Sequence, residues 1–294
     1  MSAGDKTEQK ENAVTQLPGR VAVVGGGRMG IGIAHSFAGP GSTVTVSETG
    51  DLDAARKRLE DSLTRAAERG KLPDGVDVVA GRVTFVGAIA DLPSDVELVV
   101  EAVPEIPALK LEVLAAVEDV ITEDAIIATN TSSLSPTELA VALDNPARFL
   151  GMHFFNPVPA SQLVEIVRAE GSSESVVNEV VGWVELLGKT PIVVRDSPGF
   201  ATSRLGVMLG LEAIRMLEEG VADAESIDRA MELGYRHPMG PLRSTDLVGL
   251  DIRLAVADYL HGRLGERFNP PQLLRDKVAA GEVGRKVGKG FYDW

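Results

Sequence analysis

The sequence feature that most constrains the fold is a glycine-rich turn, Gly25-Gly26-Gly27-Arg28-Met29-Gly30. The four residues before it, 21–24, are apolar and mostly β-branched, which favours a strand. Residues 29–37 place small and apolar side chains at helical spacing, and residues 43–46 form a second β-branched run. A strand, a helix and a strand within so short a stretch predict a βαβ unit, and therefore a parallel sheet.

The glycines fit the pattern G-x-G-x-x-G, which in this context is typical of a turn that binds the phosphates of a dinucleotide. Gly25 permits a tight turn, Gly27 lets the backbone approach a pyrophosphate, and Gly30 lets the helix pack closely on the strand. The helix N-terminus, with Arg28 and Met29 in its first turn, supplies unpaired N–H groups and partial positive charge. We therefore predict cofactor contacts along this turn; an ordinary strand–helix turn is the alternative.

Glu48 follows the second predicted strand, at the end that faces the same ligand. A carboxylate at this place can accept hydrogen bonds from ribose hydroxyls and would repel a 2′-phosphate. No arginine in Thr49-Gly50-Asp51 offsets that repulsion. The sequence therefore favours NAD over NADP as the cofactor; the alternative interpretation of Glu48 is a solvated residue at a strand end.

Apolar runs and helical patterns alternate through most of the chain, which predicts an α/β fold with a doubly wound parallel sheet. Further strands are expected at residues 98–102, 125–129, 149–153, 163–167 and 192–194. The helices between them are expected at residues 52–69, 108–120, 136–143 and 173–187. Ser135 precedes the third of these helices and is its expected N-cap.

The strand signal ends at Asp196-Ser197-Pro198-Gly199. Beyond it, helical spacing of apolar positions predicts helices at residues 205–219, 223–233, 242–264 and 271–280. We therefore predict a nucleotide-binding α/β domain over residues 18–196 and a smaller all-helical domain over residues 197–294. Residues 1–17 are mostly polar and without periodicity, and we expect them to form a disordered tail.

Composition excludes several classes of function. The formal net charge is −14, which argues against nucleic acid or an anionic membrane as the main partner. No apolar run approaches the ~20 residues that span a bilayer. The chain has no cysteine, which removes disulfides and thiolate catalysis and favours a cytoplasmic location. No His/Asp cluster has the spacing of metal ligands, so no metal site is expected.

Of the histidines, His153 has the most informative position, at the end of an apolar strand. The carboxyl ends of strands in an open α/β sheet face the ligand crevice. Histidine suits alcohol oxidation as the base because its pKa lies near neutrality, and a carboxylate on its other ring nitrogen would fix the tautomer. Glu165 lies in an otherwise apolar run, where a charge is costly unless paired. We predict that Glu165 orients His153; an ion pair with a lysine or arginine is the alternative.

The loop Asn130-Thr131-Ser132-Ser133 follows another apolar strand and brings short hydroxyl and amide groups to the same crevice. Such loops are often only turns or helix caps. Ser132 lies closer to the strand end than Ser135, and we predict that Ser132 contacts the substrate.

Several motifs resemble those of the NAD-dependent L-3-hydroxyacyl-CoA dehydrogenases, including the bacterial 3-hydroxybutyryl-CoA enzymes, over nearly the whole chain from Arg20 to Trp294. These motifs are GGGRMGIGIA, EAVPE, NTSSL, HFFNPVP, LVEIV, DSPGF and the terminal GRKVGKGFYDW. The resemblance implies a Rossmann-type domain, followed by a helical domain that closes over the crevice and forms most of a homodimer interface. It also implies NAD as cofactor and a short-chain acyl-CoA as substrate.

The resemblance further implies roles for individual residues. His153 is similar to the family's catalytic histidine, Glu165 to the glutamate paired with it, and Ser132 to the serine that holds the substrate oxygen. The expected contacts on the nicotinamide side of the cofactor are Glu105, Lys110 and Asn156. Asn130 is a further expected cofactor contact.

Two positions resemble family contacts to coenzyme A. They are Ser62 and Arg69, on the long helix after the second strand. Arg69 and Lys71 can meet the phosphates of the coenzyme, or they can form a solvated basic helix end.

One residue departs from the family pattern. After the Pro-Gly-Phe turn, the family usually has an asparagine before Arg-Leu, where this chain has Ser203 before Arg204-Leu205. That asparagine resembles an electrophilic helper, which donates a hydrogen bond as the ketone forms. A serine hydroxyl can also donate but is shorter, so we expect Ser203 to act through a water or on a shifted substrate.

Two other functions remain open. A related hydroxy-acid dehydrogenase would keep the chemistry and act on L-carnitine or on a hydroxyacyl group bound to a carrier protein, although the acidic surface disfavours an acidic carrier. The second is a non-catalytic, crystallin-like NAD-binding protein. The presence of His153, Glu165 and Ser132 argues against it.

Overall fold

The computed structural model describes residues 14–294. The chain forms two compact units, one that ends at Asp196 and one that spans Ser197–Trp294. Of the predicted tail, residues 1–13 lie outside the described part of the chain. Val14 and Leu17 are partly buried against the core of the first unit, so its packed chain starts before Pro18. Within residues 14–294, no helix is long and apolar enough to cross a membrane.

The first unit contains one sheet with helices between its strands. The strands are β1 (Arg20–Val24), β2 (Thr43–Ser47), β3 (Val83–Val86), β4 (Leu98–Glu101), β5 (Ile126–Thr129), β6 (Phe149–Phe154), β7 (Leu163–Arg168) and β8 (Thr190–Arg195). The helices are α1 (Arg28–Ala38), α2 (Leu52–Glu68), α3 (Val76–Ala80), α4 (Pro107–Glu118), α5 (Pro136–Leu139) and α6 (Glu174–Leu186). Ser135 caps α5 by accepting a hydrogen bond from the Glu138 N–H, which confirms the predicted cap.

The strand order is β3-β2-β1-β4-β5-β6-β7-β8, and β1 to β6 pair in parallel. The order 3-2-1-4-5-6 is that of the Rossmann fold, which confirms the predicted fold class. One pair requires a correction, because β7 runs antiparallel to β6. The segment between them, residues 155–162, is too short for the crossover that a parallel pair needs.

Neither β3 nor α3 is predicted from the sequence. β3 lies at the edge of the sheet, and its residues are exposed or only partly buried. It therefore lacks the continuous apolar run that marks the interior strands. Helix α3 has five residues, too few for helical periodicity to be recognised.

Helices cover both faces of the sheet, and each face has its own apolar core. On one face the buried side chains include Ile33 and Phe37 of α1 and Val180 of α6. On the other face they include Leu114 and Val117 of α4. Burial on both sides explains why the interior strands are apolar throughout their length.

The second unit is helical, with α7 (Thr202–Glu218), α8 (Ala224–Gly234), α9 (Pro241–Val248), α10 (Leu250–Leu264) and α11 (Gln272–Ala279). The prediction of a single helix over residues 242–264 is wrong. Gly249, with a φ of +105°, divides it into α9 and α10. A β-carbon at Gly249 would also lie 2.8 Å from Oδ1 of Asp251.

Asp246 attaches the C-terminal residues of the chain to α9. Its carboxylate is 1% exposed and accepts hydrogen bonds from the backbone N–H groups of Phe291 and Tyr292, at 2.8 and 2.9 Å. The indole Nε1 of Trp294 donates a third, at 2.8 Å. These donors compensate a charge that would be costly to bury alone. The terminal motif therefore contributes to the packing of the second unit.

Replacement of Asp246 tests this attachment. Asp246→Asn loses one acceptor and turns an amide donor toward N–H groups, so we expect the free energy of unfolding to fall by about 2–4 kcal/mol. Trp294 fluorescence during urea unfolding reports the loss, since its indole contacts this carboxylate. The matched control is Glu219→Gln, at an exposed position directly after α7. Equal destabilisation by the two substitutions would contradict this role of Asp246.

Candidate active site

Two glycines shape the turn between β1 and α1. Gly25 has a φ of +110°, and a β-carbon there would lie 2.8 Å from the carbonyl oxygen of Ala102. A β-carbon at Gly30 would lie 1.9 Å from the carbonyl oxygen of Gly25, so α1 can approach β1 only with glycine at this position. Helix α1 begins at Arg28, and no described side chain caps its first turn. The N–H groups of this turn can therefore meet phosphate oxygens.

Glu48 lies directly after β2 and against the same turn. Its Oε2 accepts a hydrogen bond from the Gly26 N–H at 2.7 Å, and its Oε1 accepts one from the Gly50 N–H at 2.7 Å. A β-carbon at Gly27 would meet no atom within 4 Å, so the space beside the turn is open. The carboxylate and the glycine turn are thus brought together, as the binding of a dinucleotide requires.

His153 and Glu165 face each other across the antiparallel pair β6 and β7. The register makes them direct partners, and His153 Nδ1 lies 2.7 Å from Glu165 Oε2. Opposite residues in such a pair project from the same face of the sheet, which explains the contact. Glu165 is fully buried, His153 is 7% exposed, and the ring of Phe155 packs against the imidazole at 4.4 Å between centroids.

Glu105 organises the loop after β5. Its Oε1 accepts hydrogen bonds from Thr131 Oγ1 at 2.7 Å, from the Ser132 N–H at 2.9 Å and from the Ser133 N–H at 3.1 Å. The carboxylate thus fixes the backbone that carries Ser132, one of the predicted substrate contacts. Its role in the structure is to position this loop.

Lys110 does not reach the surface. It is fully buried, and its Nζ lies 2.8 Å from Glu101 Oε1 and 3.4 Å from Glu105 Oε2. Glu101, the last residue of β4, is equally buried and also accepts a hydrogen bond from Thr129 Oγ1 at 2.6 Å. The ammonium of Lys110 links two carboxylates beneath the loop, and Lys110 remains a predicted cofactor contact. Glu101 was not predicted, although it is the one charged residue of an apolar strand.

The charges around Glu105 determine its protonation. Burial alone would raise the pKa of Glu105, but the Lys110 ammonium and the hydrogen bonds from the loop outweigh burial and hold that pKa below its usual range. Glu105 therefore remains a carboxylate throughout the neutral range and keeps its N–H donors in place.

Asn130 connects this loop to the histidine strand. Its Oδ1 accepts a hydrogen bond from the Phe154 N–H at 2.9 Å, next to His153. Asn156 follows the end of β6 and is exposed. The hydrogen bond from the Phe154 N–H to the Asn130 side chain therefore joins the loop that carries Ser132 to the strand that carries His153.

A cavity of about 340 Å³ brings several basic groups together in the first unit. Its lining includes His35, Ser62, Arg65, Arg69, Lys71 and Lys189. The predicted pair Ser62 and Arg69 therefore lies on one wall, with more positive charge around it than the sequence indicated. Pro157 and Ala160, from the loop that follows β6, also line the cavity.

His35 and Lys189 were not predicted as parts of this cavity. His35 Nδ1 lies 2.8 Å from Ser62 Oγ, and burial together with the Lys189 ammonium lowers the pKa of His35 to about 4. The Nζ of Lys189 donates hydrogen bonds to the carbonyl oxygens of Val158 and Ser161, at 2.7 and 2.6 Å. Lys189 thus fixes the loop after β6, and no local sequence signal marks it.

The comparison with known families decides the identity of the chain. The model of the 3-hydroxyacyl-CoA dehydrogenase NAD-binding domain matches residues 20–197, and the model of the C-terminal domain of the same enzymes matches residues 199–294. The chain belongs to the 3-hydroxyacyl-CoA dehydrogenase family. The predicted family, NAD as cofactor and the oxidoreductase class are thereby confirmed.

Similar proteins agree with this family over nearly their whole length. A probable 3-hydroxybutyryl-CoA dehydrogenase of Deinococcus radiodurans is 42% identical, over 94% of this chain and 100% of that protein. The 3-hydroxybutyryl-CoA dehydrogenase of Mycobacterium tuberculosis is 43% identical, over 94% and 98%. The crystal structure of FadB2 from M. tuberculosis has a TM-score of 0.90 at 42% identity and covers 95% of this chain and 100% of that chain.

Ser203, the predicted departure from the family pattern of this dehydrogenase, belongs to the second unit. Ser203 is partly buried in the first turn of α7.

Within residues 14–294, no group of three or more histidine or acidic side chains is arranged to hold a metal ion.

The pH dependence of stability tests the charge on Glu105. Because its folded-state pKa is lowered, the stabilisation is complete above the ordinary glutamate pKa of about 4.3 and is lost as the pH falls through the folded value. We expect Glu105→Gln to be less stable than the wild type by a constant amount between about pH 6 and 8, and the difference to narrow below about pH 4.3.

Urea unfolding at a series of pH values measures this difference. Glu112→Gln, at an exposed position of α4, is the matched control and should show no such narrowing. A stability difference for Glu105→Gln that is the same at pH 7 and pH 3.5 would contradict the lowered pKa.

Proposed function

We propose that this dehydrogenase oxidises the C3 hydroxyl of a short-chain L-3-hydroxyacyl-CoA with His153 as the general base. The observation that carries the proposal is the buried contact of 2.7 Å between His153 Nδ1 and Glu165 Oε2. A histidine oriented by a carboxylate at the carboxyl end of a Rossmann strand suits proton removal beside a bound dinucleotide. The reverse reaction reduces a 3-ketoacyl-CoA with NADH.

The residues at the glycine turn fit NAD. Gly25 and Gly30 allow close backbone packing where a β-carbon would collide with a carbonyl oxygen, and Gly27 borders open space. The first turn of α1, with Arg28 and Met29, offers its N–H groups to the pyrophosphate. Glu48 is fixed by two backbone N–H groups and can accept hydrogen bonds from the ribose hydroxyls. When bound, NAD supplies the acceptor for the hydride that leaves C3. Glu105, Lys110 and Asn156 remain the predicted contacts on the nicotinamide side, and Asn130 remains a predicted cofactor contact.

His153 takes the hydroxyl proton on Nε2, because Nδ1 faces Glu165. As the proton arrives, the imidazole becomes an imidazolium, and Glu165 stabilises the new charge while it holds the tautomer. The transfer therefore places a positive charge beside a buried carboxylate, which offsets the cost of burying that carboxylate.

Two serines are the proposed contacts to the substrate oxygen. Ser132 lies on the loop that Glu105 holds, and its hydroxyl can donate to the developing ketone. Ser203 is the proposed donor of the second unit. Glu105 and Lys110 also hold this loop in position.

The basic cavity of the first unit supports coenzyme A as the handle of the substrate. Arg65, Arg69 and Lys71 line one cavity in a chain whose net charge is −14, which is a local reversal of sign. Phosphate groups are the ligands that such a cluster recognises. We propose that the nucleotide part of coenzyme A binds here, with Ser62 as a further donor.

The other functions named from the sequence make different demands. L-carnitine has no phosphate, so it would leave the basic groups of the cavity without a ligand. A non-catalytic, crystallin-like protein would not require a histidine oriented by a carboxylate. A hydroxyacyl group on a carrier protein is attached through phosphopantetheine, which has a single phosphate. An enzyme specific for the carrier would use free coenzyme A esters poorly. The homodimer and the cytoplasmic location also remain predictions.

Reduction of acetoacetyl-CoA tests the reaction, the cofactor and the base together. We expect wild-type protein to consume NADH and to use NADPH poorly, because Glu48 repels the 2′-phosphate. His153→Asn removes the base, and we expect kcat to fall by about 10²–10⁴-fold. The decrease in absorbance of NADH or NADPH at saturating acetoacetyl-CoA measures the cofactor preference and kcat.

His237→Asn is the matched control, because it makes the same chemical change in the loop between α8 and α9. Full activity of His153→Asn would refute the role of this histidine as the base. Binding of NAD without turnover of any coenzyme A ester would refute the proposed substrate class and favour a non-catalytic protein.

Truncation of the substrate tests the basic cavity. We expect Arg69→Met to raise the KM for acetoacetyl-CoA by about tenfold, because a charge-assisted contact to phosphate is lost, and to leave kcat within about twofold. The KM for acetoacetyl-pantetheine, which has no phosphate, should not change.

Lys57→Met is the matched control, since Lys57 is a 75% exposed cation of α2 outside the cavity lining. An equal rise in KM for both substrates, or for both variants, would contradict the assignment of this cavity to the nucleotide.

A further inference from the structure

His35 and Ser62 form a polar contact in the wall of the basic cavity. The imidazole Nδ1 of His35 lies 2.8 Å from Ser62 Oγ, and both residues line the cavity. His35 lies on α1 and is 5% exposed, whereas Ser62 lies on α2 and is partly buried. The proposed function uses Ser62 as a donor to a phosphate of coenzyme A and leaves His35 without a role.

His35 is uncharged near neutral pH. Burial and the Lys189 ammonium lower the pKa of His35 to about 4. Among residues 14–294, no acidic side chain lines the cavity, and the charged groups that do are Arg65, Arg69, Lys71 and Lys189. A neutral imidazole has one N–H and one lone pair on its two ring nitrogens. The contact with Ser62 therefore has two arrangements, in which either the imidazole or the hydroxyl is the donor.

A bound phosphate distinguishes these two arrangements. An ionised phosphate group accepts hydrogen bonds, and a serine hydroxyl has a single proton to donate. If Ser62 donates that proton to a phosphate, it cannot also donate it to His35. The contact of 2.8 Å then requires the proton of the imidazole to be on Nδ1. In the opposite arrangement, Ser62 would turn its proton toward His35 and present only lone pairs to the phosphate.

We propose that His35, with its proton on Nδ1, positions the Ser62 hydroxyl as a donor to a phosphate of coenzyme A. The hydrogen bond from the imidazole occupies a lone pair of Ser62 Oγ and so directs the hydroxyl proton away from α1. Because consecutive hydrogen bonds polarise one another, the hydroxyl also becomes a stronger donor. His35 acts through Ser62 and is therefore a positioning residue. The inference rests on the proposed binding of coenzyme A in this cavity.

A double-mutant cycle tests whether His35 acts through Ser62. Calorimetry measures the Kd of coenzyme A for the wild type, for Ser62→Ala, for His35→Leu and for the variant with both substitutions. We expect Ser62→Ala to raise Kd by about tenfold to a hundredfold, because a hydrogen bond to a charged group is lost. His35→Leu alone should raise Kd by about threefold to tenfold. In the Ser62→Ala background it should raise Kd no further, because no hydroxyl remains to be positioned.

A conservative substitution tests the donor itself. The amide nitrogen of an asparagine can take the place of Nδ1 and donate to Ser62, so we expect His35→Asn to bind coenzyme A more tightly than His35→Leu. His237→Leu, in the loop between α8 and α9, is the matched control and should leave Kd unchanged. Thermal unfolding shows whether each variant is folded. A folded His35→Leu variant with the wild-type Kd would overturn the inference.

The position of the proton can also be measured without a substitution in the protein that binds. Nuclear magnetic resonance of protein labelled with ¹⁵N in its histidine rings distinguishes a nitrogen that carries a proton from one that does not. The signals of His35 are those missing from the spectrum of His35→Asn. We expect the complex with coenzyme A to have the His35 proton on Nδ1. A proton on Nε2 alone in that complex would overturn the inference.

The remaining outcomes distinguish this inference from the proposed function. If His35→Leu raises Kd by the same factor with and without the Ser62 hydroxyl, His35 acts through packing, and the inference fails while the coenzyme A site stands. If Ser62→Ala leaves Kd unchanged and Arg69→Met raises it, the phosphate binds without Ser62, and again only the inference fails. If neither substitution changes Kd, coenzyme A does not bind in this cavity, and both proposals fail.

Discussion

A carboxylate can be buried in a sheet only if a partner lies beside it, and the pairing of β6 with β7 meets this condition for Glu165. The register puts His153 directly opposite, and the two side chains share a face. A slip of one residue would turn Glu165 to the other face and leave its charge among apolar side chains. The short connection that forces β7 to run antiparallel therefore determines the pair of residues on which the proposed chemistry depends.

The need to pair buried charges also determines how the loop with Ser132 is held against the interior of the first unit. Lys110 makes two contacts to Glu101, at 2.8 and 2.9 Å, and a longer one of 3.4 Å to Glu105. Glu105 shares the Lys110 ammonium with Glu101, and hydrogen bonds from the N–H groups of the loop further stabilise its charge. The position of the loop therefore depends on the ion pairs of Lys110 with Glu101 and Glu105. Substitution of these residues would move the loop.

Much of the fold could be predicted because interior strands and helices have clear patterns of apolar residues. The pair His153 and Glu165 could be predicted because a single charged residue in an apolar strand requires a partner. Glu101 carries the same signal and was missed. The break at Gly249 depends on backbone conformation, which a glycine in an apolar helical pattern does not reveal. Lys189 was out of reach for another reason, since its partners are carbonyl oxygens 28 and 31 residues away in the chain.

The positive charges of the proposed coenzyme A site and of Lys110 are stabilised in different ways. Lys110 is fully buried, so its charge requires the carboxylates of Glu101 and Glu105 beside it. Arg65 and Arg69 line an open cavity, where solvent stabilises their charge and salt screens their attraction to phosphate. The open arrangement suits a group common to every substrate, because it binds without demanding a fixed geometry.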